Sequence, residues 1–272
     1  MAEFITQNGR DSAFLGLREI ANETGTSTAT VHRLAKSLGF AGFREMQREF
    51  IKALKSEFGP SARFESTIEH SLEVHDGPVA LQPLKAAMQR DVRLLEETLR
   101  LADPDGFVRA ADLLAKAGTV YVLGQGLGLA PVAVLAHRLP RYGIPVVQLA
   151  GQVNALFNAL LPIRSDDVLF ISSFRTPVPA SVSQAVEFVA SRGSAVVALT
   201  DTPLSSLPKS ATVTLYAKRS EEHEMASMAA PVSMINGLAM AIGVRRHDVA
   251  AELYASYEAL VAGASKEIDD HA

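Results

Sequence analysis

The chain contains no cysteine, and this absence removes several kinds of chemistry at once. Disulfide bonds, thiolate catalysis and cysteine-based zinc sites are all excluded. No apolar stretch is long enough to span a lipid bilayer, and the N-terminal sequence MAEFITQNGRDSAF lacks the charged start and apolar run of a secretion signal. We therefore expect a cytoplasmic protein without a membrane partner.

A strong positive charge is also missing, since the net charge is -4 and the isoelectric point is near 6.0. This balance argues against a protein that coats nucleic acid indiscriminately, but it allows a regulator with one local basic face. The chain has 272 residues, of which 48% are hydrophobic, so it can build one large domain or a small domain beside a medium one. The placement of basic side chains therefore matters more than their number.

Residues 17–43 have the pattern of a helix-turn-helix. The spacing predicts a first helix over residues 17–23, followed by a turn in which Gly25 can adopt the positive φ that other residues resist. Ser27 stands at the N-cap of the second helix, where its hydroxyl can accept a hydrogen bond from an otherwise unpaired backbone N–H. The segment is therefore predicted to form two short helices packed against each other.

The two predicted helices have separate buried and exposed faces. Apolar side chains at helical spacing form one buried stripe. The stripe on the second helix consists of Val31, Leu34, Ala35 and Leu38, and Ile20 and Ala21 of the first helix are expected to face inward against it. The opposite face of the second helix has short side chains near its start and basic side chains further along. The residues of that face are Thr28, Ala29, Thr30, His32, Arg33 and Lys36.

This order of side chains is typical of a recognition helix, because its N-terminal residues approach base edges while basic side chains meet phosphates. We therefore predict double-stranded DNA as a partner. The predicted contacts are Thr28, Thr30, His32 and Arg33 for bases or phosphates, Lys36 and Arg44 for phosphates, and Ser27 at the helix start. A helical pair packed on another part of the protein would share the glycine turn, and His32 would then be a solvated residue without a role.

The sequence pattern divides the chain into three parts. Helical periodicity predicts a DNA-binding domain over residues 1–58, whose opening at residues 2–7 looks like the end of a helix that lacks its start. Prolines and polar residues interrupt the pattern over 59–82, which we interpret as a linker with a short helix near residues 64–72. Residues 83–272 are predicted to form the second domain.

Five short apolar runs alternate with helical stretches in the second domain. The runs begin at Thr119, Pro145, Asp167, Ala195 and Thr212. Apolar strands that alternate with helices indicate a parallel sheet that is buried on both faces. The predicted fold class is therefore an all-α helix-turn-helix domain followed by an α/β domain with a five-stranded parallel sheet flanked by helices.

Three loops follow these strands at the edge where open α/β sheets bind ligands. The first loop has glycines that let an anion approach a helix N-terminus, and the second has hydroxyls and an arginine that suit a phosphate or a carboxylate. The candidate effector-binding residues are Gly124, Gln125, Gly126 and Gly128 in the first loop, Ser172, Ser173, Arg175 and Thr176 in the second, and Thr200 and Ser205 in the third. Glycine and serine are also ordinary turn residues, so a purely structural explanation stays open for each loop.

A dinucleotide site is disfavoured in the first loop. The glycine spacing is Gly-x-Gly-x-Gly, and no acidic residue ends the next predicted strand near Gln148. We predict neither a cofactor nor a metal site.

Taken together, these motifs resemble the RpiR-type transcriptional regulators. The stretch TSTATVHRLAKSLGFAGFREMQ is similar to their helix-turn-helix, and its SLGF-x-GF ending is the specific part. The second domain resembles their sugar isomerase (SIS) domain through the GxG after the first strand, the serine turn after DVLFI, and RGSAVVALTD followed by SSL. The resemblance implies a five-stranded α/β sandwich that binds phosphosugars. It also implies a homodimer or homotetramer whose paired helix-turn-helix heads span an inverted repeat.

The effector loops depart from the family's usual pattern. Gly128 stands where the family usually carries a serine, and Ser-Ser-Phe-Arg-Thr-Pro stands where the family usually reads Ser-x-Ser-Gly-x-Thr. Phe174 is therefore bulky where the backbone would approach a phosphate. We hypothesise that Arg175 supplies the anion contact, or that the effector is another small metabolite such as a carboxylate. The alternative for Arg175 is a surface ion pair.

Two other functions could use the same parts. A sugar-phosphate isomerase needs a base beside its substrate, and Glu221, Glu222 and His223 supply suitable residue types after the last strand. Acidic residues at a helix start also complement the helix dipole, and an isomerase has no use for residues 17–43. A nonenzymatic sugar-phosphate-binding adaptor with a protein-binding head would lack DNA affinity. We therefore expect a regulator without catalytic residues rather than an enzyme.

Overall fold

The structure is a computed structural model that describes residues 15–57, 60–72, 78–149, 152–175, 177–203, 207–220 and 224–269. Several predictions fall outside these ranges. They concern the incomplete helix at residues 2–7, the effector residues Thr176 and Ser205, and the cluster Glu221, Glu222 and His223. Within the described ranges, no helix combines the length and the apolar character that crossing a membrane requires.

Over residues 15–57, the described part of the N-terminal head contains the helices α1 (Leu17–Glu23), α2 (Thr28–Ser37) and α3 (Phe43–Glu57). The first two occupy the positions that the sequence predicts. Gly25 has a φ of 60° in the turn between them, and the Ser27 hydroxyl accepts a hydrogen bond from the Thr30 backbone N–H at 3.2 Å. The turn and the N-cap are therefore confirmed.

The head has its own small apolar core. The buried residues of this core are Leu15, Ile20, Ala21, Val31, Ala35 and Phe43. Leu38 was expected in the buried stripe, but it is 58% exposed. The prediction fails because α2 ends at Ser37, so that Leu38 leaves the helical spacing, and Phe43 of α3 contributes to the core.

Three helices follow the head, α4 (Pro60–Leu72), α5 (Gln82–Leu101) and α6 (Pro104–Lys116). The linker helix α4 begins earlier than the sequence indicates. Asp103 caps α6, since its Oδ1 accepts a hydrogen bond from the Asp105 N–H at 3.1 Å. The domain limits at residues 58 and 82 stay a prediction.

The C-terminal part contains the predicted five-stranded sheet. The strands are β1 (Val120–Gly124), β2 (Val146–Leu149), β3 (Val168–Ser172), β4 (Ala195–Thr200) and β5 (Val213–Tyr216). They are all parallel, in the order β2-β1-β3-β4-β5. The accompanying helices are α7 (Leu129–Arg138), α8 (Val153–Leu160), α9 (Ala180–Ser191), α10 (Leu207–Ser210), α11 (Ala229–Arg245) and α12 (His247–Asp269). The predicted fold class is confirmed.

Helices cover both faces of the sheet, and this explains the continuous apolar character of the strands. Val122 and Phe170 face the core formed with α6, α7 and α11. Leu123 and Ile171, one residue further along the same strands, face the core formed with α8 and α9. Burying a side chain of this size contributes roughly 1.5–3 kcal/mol to folding.

The strand order reverses between β1 and β3, which lie side by side at the centre of the sheet. Gly124 at the end of β1 pairs in register with Ser172 at the end of β3. The connections leave these two strands towards opposite sides, which opens a crevice at their carboxyl ends. The first and second predicted effector loops therefore meet at this point.

Candidate functional sites

The second helix of the head presents a polar and basic face to solvent. We call this group the basic face; it comprises Ser27, Thr28, Thr30, Arg33 and Lys36 on or before α2, and Arg44 on α3. All of these residues are exposed except Thr30, which is half-buried. Among the described residues, Arg33, Lys36 and Arg44 form no ion pair with a carboxylate. Their positive charges are therefore available to an external polyanion.

Hydrogen bonds order the N-terminal turn of α2. The hydroxyls of Ser27 and Thr30 lie 2.9 Å apart, and the Nη2 of Arg33 donates to the Thr30 Oγ1 at 3.3 Å. The Arg33 guanidinium is thereby directed towards the helix N-terminus, where base edges would be approached. This geometry supports the predicted DNA contacts of the three residues.

His32 has a structural contact in addition to its predicted role. The Phe43 backbone N–H donates to the His32 Nδ1 at 3.4 Å. The ring also lies against Gly42, where an added Cβ would be 2.7 Å from the His32 Cε1. The imidazole thus joins α2 to the start of α3, and its DNA contact stays a prediction.

The first and second effector loops pack backbone against backbone at the end of β1 and β3. A Cβ added to Gly124 would lie 2.6 Å from the Gly128 carbonyl oxygen. A Cβ added to Gly128 would overlap the carbonyl oxygen of Ser172. Only glycine fits at these two positions, which gives a steric reason for the missing serine at residue 128.

Three buried polar atoms lie at this edge of the sheet. Ser172 is 0% exposed and Ser173 is 2% exposed, and neither hydroxyl has a hydrogen-bond partner among the described residues. The same holds for the Oε1 of Gln125. A buried polar group without a partner costs about 1–3 kcal/mol, so these atoms are suited to hydrogen bonds with a ligand.

A charged pair that the sequence analysis did not identify lies next to the second loop. Arg219, which follows β5, is 8% exposed. Its Nε donates to the Oδ2 of Asp201 at 2.9 Å, and its Nη2 lies 2.7 Å from the same oxygen in an ion pair. Its Nη2 also donates to the Phe174 carbonyl at 3.4 Å, and its guanidinium carbon lies 4.3 Å from the centroid of the Phe174 ring. Extending the strand-end rule to the residues after β5 would have found Arg219.

We call the residues at this edge the strand-end site; it comprises Gln125, Gly128, Ser172, Ser173, Phe174, Asp201 and Arg219. Arg175, the predicted anion contact, is exposed and forms no ion pair with a described residue. Thr200 is buried, and its carbonyl accepts a hydrogen bond from the Ala217 N–H at 2.9 Å. Burial raises the pKa of the Tyr216 phenol at the end of β5, so this group is neutral at physiological pH.

A short segment connects the strand-end site with the linker helix. The Ser227 N–H donates to the Arg219 carbonyl at 2.6 Å. Met225 is held from two sides, because its N–H donates to the Thr67 hydroxyl of α4 at 2.9 Å and its carbonyl accepts from Arg90 of α5 at 3.3 Å. Met225 and Ser227 thus lie between Arg219 and α4, the first helix after the head.

An ion pair joins the head to the C-terminal part. The Nζ of Lys209 on α10 lies 3.2 Å from the Oε1 of Glu23 on α1. Helix α10 follows the third effector loop. Both side chains retain solvent contact, so the ion pair contributes about 1 kcal/mol at most.

Metal ligands are not clustered in the described part of the chain, where no group of three or more histidine, aspartate or glutamate side chains could hold a metal ion.

Comparisons with known proteins match both parts of the chain. Residues 1–57 match the family model described as a helix-turn-helix domain of the rpiR family, and residues 113–242 match the SIS domain. The HTH-type transcriptional regulator HexR of Pseudomonas aeruginosa is 23% identical over 251 residues, which are 90% of this chain and 84% of HexR.

Two solved structures are similar to the fold. The sugar isomerase domain of an RpiR transcription factor from Sphaerobacter thermophilus is 25% identical, with a TM-score of 0.60 over 65% of this chain and 98% of that one. The NanR protein of Vibrio vulnificus, complexed with ManNAc-6P, is 20% identical, with a TM-score of 0.68 over 96% of this chain and 90% of that one. The likeness to NanR extends the shared fold to the head as well as the sheet.

Proposed function

We propose that this chain, which belongs to the RpiR family of transcriptional regulators, binds an operator through the basic face. Its rpiR-type helix-turn-helix is followed by a SIS domain. Binding of an effector is proposed to release or tighten the contact with the operator. The proposal of DNA binding rests on three cations, Arg33, Lys36 and Arg44, which form no ion pair with a described carboxylate. Free cations on a recognition helix contact phosphates and base edges.

The operator is proposed to be an inverted repeat read by two or four copies of the chain. Large apolar side chains are exposed on α5 and α11, two helices that follow the head. They are Leu84, Met88, Val92 and Leu99 on α5, and Met240 and Val244 on α11. Both sets have helical spacing, so each forms a stripe, and a second copy is the occupant that would pair two heads. Two recognition helices would then lie about 34 Å apart, one DNA turn.

The effector is proposed to be a small anionic metabolite, a phosphosugar or a related compound, bound at the strand-end site. The Vibrio relative is complexed with ManNAc-6P, and a similar E. coli structure of 18% identity and TM-score 0.56 holds a second phosphosugar. In this chain, support comes from the unpartnered hydroxyls of Ser172 and Ser173 and from the neighbouring guanidinium of Arg219.

The effector is proposed to act through Arg219 and the described residues near it. A ligand that displaces Arg219 would shift Ser227, whose N–H donates to the Arg219 carbonyl, and with it the contacts of Met225 with Thr67 of α4 and Arg90 of α5. The change in operator affinity is limited by the difference in effector affinity between the two arrangements. We therefore propose that the protein regulates transcription in the cytoplasm and does not act as an enzyme.

The first test is fluorescence anisotropy of the purified protein on the intergenic DNA that flanks its gene, with a random duplex as competitor and a salt titration. We expect tight, sequence-dependent binding. Arg33→Ala is expected to weaken it by roughly tenfold and, if the contact is to phosphate, to reduce the salt slope by about one. Equal binding of both duplexes, or none, would contradict the proposal and favour the adaptor or the isomerase.

A matched control is Arg192→Ala, which removes the same charge from the C-terminal part. Arg192 lies 5.8 Å from the Phe188 ring, and no part of the basic face contacts it. This variant is expected to bind the operator with the wild-type salt slope. Conversion of hexose phosphates is followed in parallel, since isomerisation by the wild-type protein would support the enzyme instead.

A further inference from the structure

The charged group in the strand-end site is fixed in position before any ligand binds. The Oδ2 of Asp201 accepts a hydrogen bond from the Arg219 Nε at 2.9 Å and lies 2.7 Å from the Nη2. The Phe174 ring lies under the guanidinium, with its centroid 4.3 Å from the guanidinium carbon. A guanidinium that is paired on one edge and stacked on one face has lost most of its rotational freedom. Arg219 is therefore preorganised, whereas the exposed Arg175 is not.

The paired edge leaves a defined donor for a ligand. Nε and Nη2 are engaged with Asp201 and the Phe174 carbonyl. Among the described residues, the Nη1 of Arg219 has no hydrogen-bond partner, so both of its N–H groups are available. Arg219 can thus offer one nitrogen to an anionic oxygen without giving up Asp201.

The charge of this arrangement favours an anion with a single negative charge. The positive charge of Arg219 is already balanced by Asp201, so a phosphate would bring close to two uncompensated negative charges into a largely buried site, about twice the charge that a carboxylate brings. The glycine loop also gives little room, because Gly128 is packed on the carbonyl of Ser172. A carboxylate has one charge and two acceptor oxygens and meets both constraints.

The remaining polar atoms indicate what else the ligand carries. Ser172 and Ser173 precede Phe174 directly, and their hydroxyls and the Oε1 of Gln125 are buried without described partners. Hydroxyl groups donate and accept hydrogen bonds and match such atoms. We propose that the effector is a hydroxylated monocarboxylate of the sugar-acid class and that Arg219 binds its carboxylate. This proposal rests on the strand-end site being the effector site.

Isothermal titration calorimetry without DNA tests the ligand class. The probes are a panel of hexonates and hexuronates, the matching hexose 6-phosphates and the uncharged hexoses. We expect at least one sugar acid to bind, with its matching phosphate and hexose at least tenfold weaker. A panel in which only phosphates bind, or in which no sugar acid binds, would overturn the proposal.

Three variants test the role assigned to Arg219. Arg219→Lys keeps the charge but loses the planar fork, and it is expected to weaken sugar-acid binding at least tenfold. Arg192→Lys makes the same change outside the strand-end site and is the matched control, expected to bind as the wild type. Asp201→Asn leaves the positive charge of Arg219 unbalanced, so the preference of the site is expected to shift towards hexose 6-phosphates. Equal loss of binding in Arg192→Lys and Arg219→Lys, or no effect in Arg219→Lys, would overturn the assignment.

The ligand class and the regulatory role can fail separately. Calorimetry reads the ligand without DNA, whereas anisotropy on the operator reads the regulator. A sugar acid that binds but leaves operator affinity unchanged would retain the ligand proposal and contradict the coupling. Operator affinity that responds to a hexose 6-phosphate, while no sugar acid binds in calorimetry, would contradict the ligand proposal and retain the coupling.

Discussion

The protein uses arginine in two opposite ways, at the basic face of the head and at the strand-end site. Arg33 is exposed and has no described carboxylate partner, whereas Arg219 is buried, paired with Asp201 and stacked on Phe174. An exposed cation keeps its hydration and binds a polyanion in a salt-dependent manner. A buried, paired cation has a fixed direction and a balanced charge, so it can discriminate between small ligands.

The largest expected effect comes from Arg219→Ala. Arg219→Ala removes the guanidinium from a largely buried ion pair in which the Asp201 side chain is 15% exposed, and loss of one member of such a pair typically destabilises a protein by about 3–5 kcal/mol. Urea unfolding followed by circular dichroism measures the difference. The same substitution at Arg33 is expected to change stability by less than about 0.5 kcal/mol, because its side chain is exposed. Equal losses of stability in Arg219→Ala and Arg33→Ala would contradict the distinction between the buried, paired arginine and the exposed one.

A smaller effect is expected from Gly128→Ser, the change to the residue usual in the family. The new Cβ would overlap the Ser172 carbonyl, and overpacking of this kind costs roughly 1–3 kcal/mol. The backbone φ of Gly128 is -63°, so the cost is steric rather than conformational. Ala130→Ser, two residues further and exposed, is the control and should unfold at the wild-type urea concentration. A stable Gly128→Ser variant would contradict the close loop packing.

The next prediction separates stability from DNA affinity within the head. Ser27→Ala removes the N-cap of α2 and is expected to cost about 1 kcal/mol, seen as faster amide hydrogen exchange in α2. Ser27→Asp keeps a capping oxygen but places a negative charge beside the DNA. It is therefore expected to retain exchange protection and to lose operator affinity. Wild-type affinity in Ser27→Asp would remove the helix start from the interface.

Short-range patterns were sufficient to predict much of the fold. The bounds of α1, the turn at Gly25 and the cap at Ser27 depend on neighbouring residues, and the five strands depend on local apolar runs. Leu38 was misplaced because one residue past a helix end is enough to leave the buried stripe. Met88 on α5 is large and apolar yet exposed, because burial also depends on which elements pack against a helix.

The strand-end site was less predictable, since its key contacts join distant parts of the chain. Arg219 and Asp201 are brought together only because β4 and β5 are neighbours in the sheet. The contact of Gly128 with Ser172 likewise requires the pairing of β1 with β3. The sequence identified the loops from the strand-end rule, but not which of two arginines would be buried beside Phe174.

The smallest expected effect would show whether the two uses of arginine are connected. Thr67→Val removes the hydroxyl that accepts the Met225 N–H at 2.9 Å, and it changes neither the basic face nor the strand-end site. A single hydrogen bond of this kind contributes about 0.5–1.5 kcal/mol. The change in operator affinity that the effector causes is therefore expected to be several-fold smaller in Thr67→Val than in the wild type.

Affinity for the effector alone and for the operator alone is expected to stay within about twofold, because a coupling free energy is distinct from either binding free energy. Thr67→Ser keeps the hydroxyl and is expected to restore the full response. If Thr67→Val responds like the wild type, the ion pair between Lys209 on α10 and Glu23 on α1 is the next described contact to test, since it joins the head to the part of the chain that contains the sheet. The same anisotropy titration on a Lys209→Ala variant then decides whether that ion pair carries the signal.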